Sequence, residues 1–225
     1  ESISYLVILF NKMFQLMNEE MNNPFGKIFH HASYIQLIPK SNDPINKYMM
    51  NQQRPITIIS IISKLFSMVL LVRLQSYCNE MKLIKQNQIG FQEDLSTIHH
   101  LSTLRCLFEN AKIDNREFIA CFIDFKKAYD SINHNVLKSI MIHQSIPNRL
   151  IQSIMNTLKG NKVSINTFYG HSNSVSVGKG VRQGDPISPL LFNIVTTYII
   201  DNLEQESFYE SYYMHEPSDG LYVNN

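Results

Sequence analysis

Phe118-Ile119-Ala120-Cys121-Phe122-Ile123-Asp124-Phe125 is the stretch on which the reading of the fold turns. Apolar residues fill it on both faces of a two-residue repeat. A strand solvated on one side would alternate, so this pattern predicts a strand buried on both sides. Its only charge, Asp124, falls near the end. A carboxylate there is costly unless something compensates it. The compensation is open: a divalent cation, a helix cap, or an ion pair with Lys126 or Lys127. Magnesium needs only one or two carboxylates, with substrate phosphates and water completing its octahedron. Asp130 is a second candidate ligand, or the cap of the helix that follows.

Outward toward the C-terminus, the spacing predicts helices over His134–Gln144 and from Pro147 to Leu158. Lys162–Tyr169 and Ser174–Gly178 read as a hairpin around residues 170–173. Asp185 as N-cap and Pro186 at the first helical position predict a helix carrying Leu190, Leu191, Ile194 and Val195. Residues 201–219, acidic and aromatic, read as a loop, and Gly220 to Val223 as the opening of a last strand.

Toward the N-terminus, Ile98, Leu101, Leu104, Phe108 and Ala111 mark an amphipathic helix. Ile56 to Val72 reads as a long apolar helix after Arg54-Pro55. It has 17 residues with Lys64 inside, and a membrane span needs about 20 without such a charge. A buried helix is therefore expected and no membrane partner. A polar loop, Lys40 to Gln53, precedes it, and Ser33 to Pro39 reads as a strand. Ile3, Leu6, Val7, Phe10, Phe14, Met17 and Met21 line one face of a first helix, ended by Asn22-Asn23-Pro24. Strand, helices, hairpin, helix is an α+β order.

Two further stretches carry chemistry. In Gly178-Lys179-Gly180-Val181-Arg182-Gln183-Gly184-Asp185-Pro186, three glycines let backbone approach a ligand. Arg182 offers a forked donor, and a helix start points free N–H groups at the loop. An ordinary glycine-rich turn before a capped helix fits equally. Lys40 and Arg54 flank a polar loop, placed to reach a triphosphate or simply solvated.

Hydrophobic residues make up 44% of the 225 and charged residues 17%, which suits a packed core and excludes a disordered chain. Net charge is +1, but its distribution is uneven. From Ser131 to Gly184 there are six basic residues (Lys138, Arg149, Lys159, Lys162, Lys179, Arg182) and no Asp or Glu. From Asp185 onward there are seven acids and no Lys or Arg. Such a stretch either faces phosphate or is solvated surface. Cys78, Cys106 and Cys121 are scattered, which argues against a disulfide framework or cysteine zinc site and for a reducing, intracellular compartment, nuclear or cytoplasmic. No leader opens the chain, and both its ends, Glu1 and Asn225, read as cuts. From the residues alone, the chain is a metal-using phosphoryl-transfer enzyme or a phosphate-binding domain.

The order of these stretches resembles the reverse transcriptase of non-LTR, LINE-type retrotransposons. The resemblance is carried by Leu37-Ile38-Pro39-Lys40 with Arg54-Pro55-Ile56, by Gln88-Ile89-Gly90-Phe91, by Phe122-Ile123-Asp124-Phe125-Lys126-Lys127-Ala128-Tyr129-Asp130, and by Arg182-Gln183-Gly184-Asp185-Pro186-Ile187-Ser188-Pro189-Leu190-Leu191-Phe192. It spans residues 30–205. It implies a right-hand polymerase: fingers and fingers–palm helices over 1–117, and a partial palm of sheet and packed helices over 118–225, with no thumb. It also implies the partners, RNA template, DNA primer and deoxynucleoside triphosphates, and the cofactor, Mg2+ or Mn2+. Asp124 and the Phe125 carbonyl would hold metal. Tyr129 would sit under the sugar and exclude a 2′-hydroxyl. Lys40 and Arg54 would contact the triphosphate, and Arg182 and Gln183 would line the nucleotide pocket. Lys159, Lys162 and Lys179 would follow the nucleic-acid backbone. The family's aromatic-x-Asp-Asp turn has no counterpart, for the sequence contains no Asp-Asp. The expectation is a fragment of an RNA-directed DNA polymerase, inactive alone. The alternatives are a nucleic-acid-binding remnant, a maturase-like RNA scaffold, or an unrelated metal-dependent phosphotransferase.

Overall fold

The fold is that of a computed structural model, which describes residues 2–17, 33–43, 48–206, 213–215 and 222–224. Strand β1 (Tyr34–Pro39) forms where expected and pairs antiparallel with β2 (Gln53–Ile58), in register from Tyr34↔Ile58 to Pro39↔Gln53. A single 3₁₀ turn (Met50–Gln52) leads into β2. Here the structure differs from the helix expected from Ile56. Pro55 is disfavoured within a helix, and Ile56-Thr57-Ile58 is β-branched throughout. β2 lies at the sheet edge, where the missing proline N–H breaks no ladder. The helix itself, α2 (Ile61–Glu80), begins later, with Ser60 Oγ accepting from Ser63 N at 3.2 Å.

Helix α3 (Thr97–Ile113) follows, then a short helix α4 (Ala128–Ser131), α5 (His134–His143) and α6 (Asn148–Leu158). The expected hairpin is β3 (Lys162–Thr167), returning as two short pieces, β4 (Gly170–His171) and β5 (Val175–Ser176). Its turn is Phe168–Tyr169, two residues earlier than the glycine suggested. β3 also lies parallel to β1, with Tyr34↔Ser164 and Ile35↔Ile165. The sheet is therefore mixed, in order β2-β1-β3-β4 with β5 on β3, and draws strands from both sides of residue 117. The last helix, α7 (Ser188–Glu206), starts three residues after the expected cap. Residues 185–188 instead form a turn, Ser188 N to Asp185 O at 3.1 Å. A separate pair, β6 (Tyr213–His215) and β7 (Tyr222–Asn224), covers the expected last strand. The expected first-helix end at residues 22–24 lies outside the described residues.

The core is helical. Helix α1 (Ser2–Met17) contributes Met13, α2 contributes Phe66, Leu70, Leu74 and Cys78, and α5 and α6 contribute Leu137, Met141, Ile151, Ile154 and Leu158. Helix α7 closes it with Leu190, Leu191 and Ile194. Each such side chain stabilises by about 1.5–3 kcal/mol relative to exposure. By length and composition α2 is apolar enough to cross a membrane. Its 63/66/67/70/74/78 stripe, however, is buried against the other helices.

The largest correction concerns residues 118–125. They are not a buried strand. The segment has no strand assignment, and Ile119, Phe122 and Ile123 are 71–88% exposed. Composition shows that a segment can be buried on both faces; a strand also needs neighbours for its backbone, and no described residue pairs with it. Helix α3 beside it in sequence buries only Ala111.

Candidate active site

The glycine-rich loop is stitched between α4 and β2. Gly180 has φ +88°, and a Cβ there would lie 2.9 Å from the Asp130 Cα. Gly180 N donates to Ile132 O (2.7 Å) and Val181 N to Tyr129 O (2.9 Å). The His134 ring meets the Gly180 carbonyl at 2.8 Å. Four residues on, Gly184 has φ +116°, and its Cβ would fall 2.6 Å from Thr57 O. Thr57 N donates to the Gln183 carbonyl at 2.6 Å. Only glycine permits both approaches.

Arg182 is not the free forked donor expected. It is 8% exposed. Its Nη2 donates to the Thr157 carbonyl and, at 2.7 Å, to Asn161 Oδ1. Asn161 Nδ2 in turn donates to Leu158 O at 2.9 Å. A cation thus sits on the last carbonyls of α6, the negative end of that helix's dipole. On its other side Asp185 Oδ2 lies 3.9 Å from Arg182 Nη1. Asp185 Oδ1 accepts from Ser67 Oγ of α2 and from Ile187 N. Burial lowers the Arg182 pKa, and Asp185 partly opposes that. The guanidinium is thus turned into the fold by Nη2, while its buried Nε has no hydrogen-bond partner among the described residues.

Aromatic rings join the remaining motifs. Tyr129 stacks on Phe192 of α7, centroids 5.5 Å apart and planes within 12°. Phe91 meets Tyr129 edge-on at 6.4 Å, and Phe125 meets Phe192 at 6.2 Å. Phe91 reaches this position with φ +60°, a conformation unusual for a bulky residue. Its loop is docked on α7: Gln88 Nε2 donates to Asn193 Oδ1 (3.1 Å) and Asn193 Nδ2 to Gly90 O (2.8 Å). Tyr129 is half-buried, and burial raises its pKa.

The structure gathers some expected residues and separates others. Lys179, Arg182, Gln183 and Asp130 share one cleft with Pro55 and Thr57. Phe125 and Tyr129 belong to the aromatic cluster. Lys40 and Arg54 are exposed at the far end of β1–β2, Lys40 Nζ donating to Asn51 O at 3.1 Å. Lys159, Lys162 and Lys179 are exposed, so the basic run loses only Arg182 to the interior. Asp124 is exposed, with no hydrogen bond or ion pair among the described residues, and does not line the cleft. No group of three or more His, Cys, Asp or Glu is placed to hold a metal among the described residues. One free carboxylate suits a magnesium ion held mainly by substrate phosphate and water, but a two-ion site needs more carboxylates than these. The sequence reading missed Ser67, Asn161 and Asn193, and quoted Phe192 within a motif without giving it a role. Asn193 alone left a signal: an amide within the apolar run Leu190–Val195.

The loop locked by a buried arginine, the aromatic cluster and the docked Gln-x-Gly-Phe turn all fall within one stretch that matches known proteins. Residues 38–215 match the family model described as reverse transcriptase (RNA-dependent DNA polymerase). The chain belongs to that family. It is 25% identical over 199 residues to the retrovirus-related Pol polyprotein from type-1 retrotransposable element R2 of Nasonia vitripennis, covering 85% of this chain and 19% of that one. Against the Pol polyprotein from type-2 retrotransposable element R2DM of Drosophila melanogaster, identity is 27% over 156 residues, 68% of this chain and 14% of that one. The RNA-directed DNA polymerase from mobile element jockey of Drosophila funebris is 24% identical over 201 residues, 87% and 20% respectively. The chain spans about a fifth or less of the length of these relatives. Members of the family generally use divalent metal ions.

Proposed function

We propose that this chain is the fingers-and-palm portion, divided near residue 117, of a retrotransposon polymerase that adds deoxynucleotides to a DNA primer on an RNA template. One observation carries the reading: Tyr129 touches two of the other three motif regions at once, through its carbonyl to Val181 N and through its ring to Phe192 and Phe91. That convergence builds a floor of fixed aromatic rings beside a backbone loop, suited to hold a sugar and base. Gln183 lines the cleft with Pro55, Thr57 and Lys179, its amide offering both donor and acceptor edges. Arg182 serves by holding the loop, and Lys179 supplies exposed positive charge at the cleft. Lys40 and Arg54 are the triphosphate contacts in this reading.

Asp124 and the Phe125 carbonyl are the candidate Mg2+ or Mn2+ ligands from this chain; a bound ion would supply charge neutralisation at the phosphates. The two-ion set is incomplete among the described residues. We therefore expect the 225-residue chain alone to bind nucleic acid without extending a primer. That outcome equally fits the non-catalytic reading, a binding scaffold. The two part company in a polymerase that carries this segment together with an Asp-Asp turn. There, Asp124→Asn should abolish metal-dependent incorporation at unchanged template binding. Incorporation near the parent rate would remove Asp124 from the chemistry.

A further inference from the structure

Phe168 and Tyr169 form the turn between β3 and β4, and each is 98% exposed. Two adjacent aromatic rings give up a large burial free energy by standing in water. Nothing in folding demands them: the turn needs only Gly170, at φ +109° in open space.

The tip is nonetheless built firmly. Thr167 pairs with Gly170, and its Oγ1 donates to the Gly170 carbonyl at 2.6 Å. Below it, Asn166 Nδ2 donates to Gln36 Oε1 of β1 at 2.9 Å, and the His171 ring meets Tyr34 at 5.2 Å. The two tip rings stand edge to face, 5.8 Å apart. They are presented by a hairpin braced on a sheet.

The electrostatics select the occupant. The hairpin lies in the run from Ser131 to Gly184 that has no Asp or Glu. Lys162 opens β3 and is exposed, with exposed Lys159 before it. Six residue steps of extended chain put Lys162 about 20 Å from Phe168 at the tip. Exposed cations at the base of the hairpin and stacking faces at its end form the pattern by which single strands are held without sequence preference.

We propose that the Phe168–Tyr169 tip stacks unpaired nucleobases of a single strand whose backbone runs past Lys159 and Lys162. The proposal rests on the nucleic-acid reading above and adds a binding element to it, away from the cleft.

The chain has no tryptophan, so Phe168→Trp gives a single emitter at the tip. The probe is a mixed-sequence single-stranded RNA, and the DNA equivalent, of about 20 nucleotides, long enough for such a site. Binding should quench the tryptophan emission of F168W. The double variant F168A/Y169A, altered only at a solvent-exposed turn, should weaken binding by about 5- to 150-fold per stacked base. Its dependence on salt should not change. K159Q/K162Q should instead flatten the log–log salt slope, by about 0.7 for each phosphate no longer neutralised. Duplex of the same length should show no dependence on the tip. Equal affinity of parent and F168A/Y169A with unquenched tryptophan would overturn the tip proposal alone. So would conversion of an oligomer to a monomer by F168A/Y169A at unchanged oligonucleotide affinity, which would make the tip a protein contact. Failure of the parent chain to bind either strand would overturn both this and the nucleic-acid reading it rests on.

Discussion

Replacing Arg182 with alanine tests whether that side chain belongs to the interior or to a ligand. The substitution strands the Asp185 carboxylate, which is 5% exposed, beside Ser67 with no cation. It also removes the donor to Thr157 O and Asn161 Oδ1 at the end of α6. Breaking a buried pair from one side costs about 3–5 kcal/mol. At about 2–4 °C per kcal/mol for a domain this size, Tm should fall by about 6–20 °C. Total stabilities run about 5–15 kcal/mol, so a large share of the fold is at stake. Arg182→Lys keeps a charge but not the fork and should fall between. A double-mutant cycle with Asp185→Asn should show strong coupling, since the partners share one network. Chemical denaturation followed by circular dichroism reads every variant and the parent. An Arg182→Ala loss below about 1 kcal/mol, the ordinary cost of a point substitution, together with weakened nucleic-acid or nucleotide binding, would refute the argument and return Arg182 to the ligand.

Gly184→Ala should destabilise by more than about 1 kcal/mol, because positive φ and a clash with Thr57 O act together, whereas Gly178→Ala, with open space around it, should be near neutral; equal effects in thermal melts would mean the loop does not press on β2. A maleimide at neutral pH should modify exposed Cys121 quickly and Cys78, whose thiol burial pushes up to about 11, only on unfolding. Protection of Cys121 would show that residues 118–125 are covered. The Cys78 shift also sets a pH dependence: its thiol ionises from 9.0 in the unfolded chain but stays neutral longer in the folded one. Its stabilising contribution is therefore full below pH 9 and is lost as pH rises to about 11. Cys78→Ala should remove that part of the alkaline decline in Tm.

What the sequence disclosed follows from how local each signal is. Helices α5 and α6 and strand β1 were legible because periodicity and caps reside in the segments themselves. The family was legible because ordered motifs tolerate error in any one of them. β2 was misread because an apolar run beginning Ile56-Thr57-Ile58 was assigned whole to a helix, although Pro55 and the β-branched cluster argued otherwise. Residues 118–125 were misread because pairing depends on a neighbour that composition does not name. Arg182 was legible as a special residue but not as a buried one. An arginine before Gln-Gly looks the same whether its fork meets a phosphate or the end of α6, and only the fold brings Thr157 and Asn161 to it.

The parallel seam between β1 and β3 has a consequence for how the protein is made. Gln36 and Asn166 meet across 130 residues of chain. The β1–β2 hairpin is complete once Ile58 has emerged from the ribosome, yet β1's other edge waits for β3. At about 5–20 residues per second, the roughly 100 residues between them take on the order of 5–20 s to synthesise. Throughout that interval the hairpin offers an unpaired ladder to any other nascent strand. Helices α5 and α6 are the local, fast-forming units that carry β3 to it. Substitutions that slow their docking lengthen the vulnerable interval and reduce soluble yield, even where every contact of the finished protein is preserved.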